Sequence, residues 1–372
     1  MKINNRICQI FGIKYPIFLA GMGGAANPRL AAAVSNAGGL GVLGAAACTP
    51  DQMRRWIQET KELTNQPFGI DTLLPMSVRG GGNLKQNEGK NPADLLKEFQ
   101  EMAKGFMNEH GLKMIETDRK PTAIESVGLF TKEFFEEQME VVIEEKVPVY
   151  AAGLGNPAPW MERLKANNTK VMTVVGAVRH TVKVSSAGVD AIVAQGHDAG
   201  GHNSPIGTMA LIPQVVDAAN GIPVLGAGGI SDGRGIAAAL MLGAEGVWIG
   251  SAFLASEEAG IYNHQKQAIV DSTEEGTVIS RSITGKPARI IRSAWTDFWE
   301  RSDQDPLPMP FQSAVAGAVL AAADVAERQD INPGFAGQGI GMIKSVRPAE
   351  EIMGDLVEGM ERTLKDFNKW TL

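Results

Sequence analysis

The glycine clusters of this chain fall directly behind short apolar runs, and that placement constrains the fold more than any other feature. Residues 16–20 run into Gly21, Val224 and Leu225 into Gly226, and residues 247–249 into Gly250. A short apolar run stopped by glycine reads as a strand buried on both faces, the pattern of a parallel sheet. Between the runs lie amphipathic or alanine-rich stretches of helical length, such as 28–36 and 51–63. Strands alternating with such helices predict βαβ units. Strands are expected near 15–20, 40–43, 68–73, 147–152, 171–175, 190–195, 223–227 and 246–250. Eight strand-then-helix units is the number that closes a barrel, so the expected fold class is α/β, a (β/α)8 TIM barrel. An open doubly wound sheet fits less well. Gly21-Met22-Gly23-Gly24 lacks the spacing of a dinucleotide fingerprint, and no acidic strand end follows about 20 residues later.

Two regions break the rhythm. After the third strand, residues 75–123 form an insertion that starts polar and glycine-rich, then shows an amphipathic helix over 92–110. Leu95, Leu96, Phe99, Met102, Ala103 and Phe106 share one face of that helix. An insertion at the carboxyl end of a barrel strand lies on the active-site side, which suits a lid as well as a surface or oligomer contact. After the eighth strand, residues 256–372 hold helical patterns with little strand character, including 311–327 and 350–370. The expected organisation is a barrel over 1–255 and a helical extension over 256–372 that caps its opening within one structural unit.

Composition excludes several classes. A net charge of -7 gives nothing to draw the molecule as a whole to nucleic acid or an anionic membrane. The apolar stretches are too short to span a bilayer, and residues 1–11 have no apolar signal core, so a cytoplasmic protein is expected. Cys8 and Cys48 are the only cysteines and lack metal-site spacing, which argues against a disulfide scaffold or a zinc site.

Chemistry concentrates in the segment Gln195-Gly196-His197-Asp198-Ala199-Gly200-Gly201-His202, at the end of the sixth expected strand. Gly200 and Gly201 allow a ligand close to the backbone. His202 follows a tight Ala-Gly-Gly turn with no obvious packing partner, so it is the candidate base near neutral pH. His197 reads more readily as structural. Asp198 and the two histidines match no familiar metal pattern. The next loops, Gly226 to Gly233 and Gly250-Ser251, follow the seventh and eighth strands, where barrels place their phosphate site. Gly228, Gly229, Gly250 and Ser251 are the candidate phosphate contacts, which points to a phosphorylated cofactor. At the first strand end, Gly21 and Met22 offer backbone to a planar ring. Asp71, at the third, can accept from a ring N–H or a sugar-chain hydroxyl. Lys286 and Arg289 sit in a turn-like segment beyond the barrel, where solvated surface charge is an equal reading.

Taken together these segments resemble the nitronate monooxygenase family, also described as 2-nitropropane dioxygenase-like flavoproteins. The resemblance rests on Tyr15-Pro16-Ile17 leading to Gly21-Met22, on 37–41, 68–71, 195–202 and 226–232, on Gly250-Ser251, and on 285–289 with Arg292. It covers nearly all the chain in order, apart from 75–123, and the Ala-Gly-Gly-His element is its most specific part. It implies an FMN-containing barrel, with FMN phosphate on Gly228, Gly229, Gly250 and Ser251, Gln195 and Gly201 lining the flavin, and His202 at the active-site histidine. Its expected activity is oxidation of alkyl nitronates by O2 to a carbonyl compound and nitrite. The alternative is an NAD(P)H-dependent FMN reductase of an enoyl thioester or a quinone. The substrate is a small molecule either way, and homo-oligomerisation is left open. Two departures stand out: His197-Asp198 replaces an expected glutamate before the alanine, and Asp71 stands where an asparagine is usual.

Overall fold

The computed structural model describes residues 5–74, 92–115 and 131–367. Eight parallel strands form one sheet: β1 (Ile17–Leu19), β2 (Gly41–Gly44), β3 (Phe68–Leu73), β4 (Val149–Leu154), β5 (Lys170–Val175), β6 (Ala191–Gln195), β8 (Val224–Ala227) and β9 (Gly246–Ile249). Between β6 and β8 lies the short β7 (Gly201–His202), which is not part of this sheet. The barrel order is β1-β9-β8-β6-β5-β4-β3-β2. Its two edges meet at a parallel bridge between Phe18 and Leu40, where the Leu19 amide donates to the Leu40 carbonyl at 2.9 Å. The expected TIM barrel is therefore the observed fold, with each expected strand in place.

Strand alternation divides the core in two. Phe18, Leu40, Val42, Val149, Ala151, Met172, Val193, Leu225 and Trp248 point inward and fill the barrel. Ile17, Leu19, Leu43, Phe68, Ile70, Val171, Ile192 and Val247 point outward to the helices. This two-sided burial is why the strands read as continuous apolar runs. Helix starts are set locally: Asn27 and Thr49 cap the helices Pro28–Asn36 and Pro50–Leu63, each with proline in the first turn. The helix Arg6–Phe11 plugs the amino end of the barrel, burying Ile7 and Phe11 with Phe11 edge-on to Phe18 at 5.2 Å. Arg6 pairs with Glu245, just before β9.

The helix expected inside the insertion is Pro92–Glu109; residues 75–91 and 116–123 of that insertion lie outside the described residues. Leu95, Phe99, Ala103 and Phe106 pack into a separate core with Trp295, Trp299, Val315 and Val319 of the extension. Phe99 stacks on Trp299 at 5.7 Å.

The extension departs from its expected character in two ways. It contains two strands, β10 (Thr277–Ser280) and β11 (Ala288–Ile291), which join β7 in an antiparallel sheet of order β10-β11-β7. β10 is only partly buried, and β11, though buried along its length, spans four residues with an arginine among them, so both leave little trace in a hydrophobic pattern. The closing helix Ala349–Phe367 is not a cap. Its Ile352, Met353, Leu356 and Met360 belong to the core between barrel and outer helices. It lies so close to the helix Gly233–Met241 that a Cβ on Gly233 would strike the backbone of Gly359 and Met360. It supplies the outer helix that follows the last barrel strand.

Candidate active site

The three-stranded sheet brings the two segments singled out in sequence into one place. His202 pairs in register with Ala288, and Gly201 with Arg289. Gly201 has φ +70, the left-handed conformation that lets the chain turn from the loop into β7. Half-buried His202 has its Nε2 2.8 Å from the Thr284 hydroxyl, and its carbonyl accepts from the Gln195 amide at 2.8 Å. Thr284 is held in turn: its hydroxyl lies 3.3 Å from the Lys286 carbonyl and accepts from the Lys286 amide at 3.3 Å. Burial, and secondly the nearby Lys286 ammonium, push the imidazole pKa down to about 4. His202 is thus neutral at physiological pH. Burial also lowers the Lys286 pKa. Lys286 is accordingly a half-buried neighbour of His202 rather than a fully solvated surface charge.

The loop before β7 is held by its own side chains. His197 uses Nδ1 on the Ser204 carbonyl at 2.9 Å, a structural role. Its backbone carbonyl accepts from Asn203 at 2.8 Å and from the buried Arg289 guanidinium at 3.1 and 3.3 Å. The Asp198 carboxylate accepts from the Thr208 amide at 2.9 Å, at the start of the helix Thr208–Ala218. These three groups are turned to different partners, and among the described residues no metal-ligand cluster of His, Cys, Asp and Glu forms.

The expected phosphate loops converge on this segment. Gly228 and Gly229 adopt φ +105 and +71, and a Cβ on Gly228 would meet Thr208 Oγ1 at 2.6 Å. The helix Ser251–Leu254 starts from Gly250 with no side-chain cap, leaving its first amides without a side-chain acceptor. The Gly337 amide donates to Ser251 Oγ at 2.8 Å. Gly200 lies against Ala336 and Gly337, so close that a Cβ there would meet the Ala336 carbonyl carbon at 2.7 Å. On the other side, Met22 Sδ lies against Gly250, and Gly21 lies against the Asp71 side chain.

Asp71 points inward at the carboxyl end of β3, level with Gly44 and Ala151 of the neighbouring strands. It is 9% exposed, and its Oδ1 has no hydrogen-bond partner. Burial holds its carboxyl well above the usual carboxylate range, against the opposing effect of the Gly153 amide. Gly21, Met22, Gly250, Ser251, Gly200, Gly201, His202 and Gln195 thus form a chain of contacts around the mouth. Asp71 stands at one end of it, and Gly228 and Gly229 lie beside it.

Sequence reasoning missed two parts of this site. Thr284 is an ordinary residue in an unremarkable turn, and only the pairing of β7 with β11 brings it to His202. The segment Ala336–Gln338 closes over the glycine loops, with the Gln338 amide donating to the Asp198 carbonyl at 2.9 Å. Its signal was available, since Gly334, Gly337, Gly339 and Gly341 are spaced too densely for an α-helix, and the chain forms only a short 3-10 turn over Gln338–Met342. Neither cysteine competes as a nucleophile: both are buried, and burial pushes the Cys48 thiol up to about 12.

Comparison with known proteins agrees with this architecture. A family model described as nitronate monooxygenase matches residues 4–359. A putative monooxygenase of Mycobacterium tuberculosis is 37% identical over 371 residues, covering 96% of each chain. The solved structure of a nitroalkane oxidase from Streptomyces ansochromogenes superposes with a TM-score of 0.79 at 27% identity, covering 98% of this chain and 100% of that one. FabK from Thermotoga maritima superposes with a TM-score of 0.73 at 30% identity, covering 99% of each chain. With a barrel, a glycine-lined mouth and a neutral histidine held beside a lysine, this chain is an oxidoreductase and belongs to the nitronate monooxygenase family.

Proposed function

We propose that the protein is an FMN-dependent oxidoreductase that oxidises alkyl nitronates with O2, His202 serving as the active-site base. The residues present fit the cofactor. Gly228, Gly229, Gly250 and Ser251 line a backbone cradle suited to its phosphate, and the orphaned Asp71 Oδ1 awaits a polar partner at the mouth. Gln195, Gly200 and Gly201 line the mouth between these two. When bound, FMN supplies the electron transfer that no side chain can perform. Overall, two nitronates and one O2 give two carbonyl groups and two nitrites.

The observation that carries this reading is the pairing of a neutral imidazole with a cation. In the unliganded protein, with its pKa near 4, His202 is poor at taking a proton from a neutral C–H acid, so its role as base depends on an anion bound beside it. A nitronate is already an anion, and needs charge compensation more than deprotonation. Lys286 supplies that charge, and His202 offers a hydrogen bond beside it. An anion bound there would also raise the His202 pKa, so that the imidazole could take up a proton as the substrate reacts. Thr284 fixes the ring while this happens.

The test is to purify the protein, record its visible spectrum, and mix it without oxygen first with NADH or NADPH, then with an alkyl nitronate. A yellow protein bleached by the nitronate and indifferent to both nucleotides supports the proposal. Rapid bleaching by a nucleotide selects the alternative, an NAD(P)H-dependent reductase of an enoyl thioester or a quinone on the same cradle. A protein that neither carries nor takes up FMN would reject both.

A further inference from the structure

Among the described residues Asp71 is the one buried carboxylate of the barrel mouth, and the fold surrounds it in a way that does not suit a charge. We propose that Asp71 meets the bound flavin as an uncharged carboxylic acid, presenting one O–H donor and one carbonyl acceptor as an amide side chain would. This inference rests on the flavin reading above.

The geometry begins with the neighbours. On one side is Gly21, just past β1, and on the other Gly153 of β4; a Cβ at Gly153 would fall 2.5 Å from Asp71 Oδ1. Neither neighbour has a side chain that could bring a charge to the carboxyl. In register, β2 presents Gly44 and β4 presents Ala151, and neither carries a charge. The Asp71 carbonyl is used by the Ala45 amide at 3.0 Å, which pins the strand but does nothing for the side chain. Tyr150 of β4 is the titratable group that feels Asp71; it is buried, its hydroxyl is 2.9 Å from that of Thr72, and it stays neutral. Among the described residues no lysine, arginine or histidine forms an ion pair with Asp71.

A buried carboxylate without a cation carries a desolvation cost that protonation removes. The raised pKa follows from the same burial. The unpaired Oδ1 then completes the picture. A neutral acid has both a donor and an acceptor, and a buried group of that kind needs a partner with the complementary pair. The edge of a flavin ring offers such pairs, and a purely hydrophobic ligand does not.

The consequence is a linkage between proton and cofactor. As the pH rises through the pKa of Asp71, the acid ionises and presents a carboxylate with no donor to the ring. FMN affinity should then fall by about tenfold for each further pH unit, the slope of one proton bound with the ligand. Replacing Asp71 by asparagine keeps the donor and acceptor and removes the titration.

The experiment is a titration of flavin-stripped protein with FMN, followed by quenching of flavin fluorescence, from about pH 6 to about pH 9. The wild type should lose affinity with rising pH more steeply than Asp71→Asn, which should show only the shallow change common to both proteins. Equal slopes for the two, with no protonated-carboxyl band in the infrared spectrum of the wild type at neutral pH, would overturn the proposal while leaving the flavin reading intact. No binding by the wild type at any pH would overturn the flavin reading itself and the proposal with it. Should Asp71→Asn fail to fold, the infrared spectrum of the wild type decides. A protonated-carboxyl band at neutral pH that shifts when FMN binds supports a neutral acid, and a spectrum without one refutes it.

Discussion

At the scale of single residues, the site depends on which protonation states burial allows. His202 has a folded-state pKa near 4 against an ordinary value of 6.5. The unfolded chain therefore takes up a proton between those values that the native chain refuses. The stability this group contributes is complete above pH 6.5 and is lost progressively as the pH falls toward 4. For the free enzyme, the acid limb of kcat/KM assigned to this group should lie near pH 4; a limb at 6.5 would contradict the burial argument. His202→Asn should retain flavin and lose turnover by about 10²- to 10⁴-fold, the range for removing a general base. Unchanged turnover would remove His202 from the catalytic role. Thr284 acts only through His202, so Thr284→Val should lower kcat and move that pH limb, while Thr284→Ser should restore both. If Val and Ser behave alike, the hydroxyl is not what holds the ring. His202 was legible in the sequence because a bulky polar ring after Ala-Gly-Gly has little structural reason to be there. Thr284 was not, because its importance comes from a partner 82 positions away in the chain.

At the scale of elements, short strands and tight glycines explain both the success of the sequence reading and its gaps. The eight barrel strands are buried on two faces, so their sequences are largely apolar without alternation, and all but β3, whose sequence runs on into Leu74 and Pro75, end at glycine. β10 is only partly buried, the fully buried β11 carries Arg289, and neither ends at glycine, so the extension read as helical. The closing helix read as a cap for a related reason: its amphipathic pattern shows that one face is buried, but not against what. The helix packs so closely on Gly233 that only a hydrogen atom fits there. Gly233→Ala should destabilise the protein by about 1–3 kcal/mol through overpacking, measured by chemical denaturation. A neutral substitution would show that this contact is looser than the structure has it. In the second core, Trp295 is fully buried against Phe106 and donates its indole N–H to the Ser282 carbonyl at 3.1 Å.

At the scale of the whole molecule, the barrel and the extension are built into one another. The extension supplies an outer helix of the barrel, a strand partner for His202, and the segment that closes over the glycine loops. We expect residues 1–255 and 256–372 to unfold together, in a single calorimetric transition whose midpoint rises when FMN is added. Two separate transitions would show that the extension is an independent domain. The sequence by itself determined the barrel, its eight strands, and which loops follow them, because backbone burial and glycine placement are local properties written in residue order. It also marked His202, Gly228, Gly229, Gly250 and Ser251 as residues to watch. Only the tertiary structure decided that Lys286 and Thr284 belong to the histidine, that His197 and Arg289 hold the loop, and that Asp71 is buried without a cation. Those are questions of distance and solvent exposure between segments far apart in the chain. Desolvation and Coulomb interaction depend on that distance and not on sequence order.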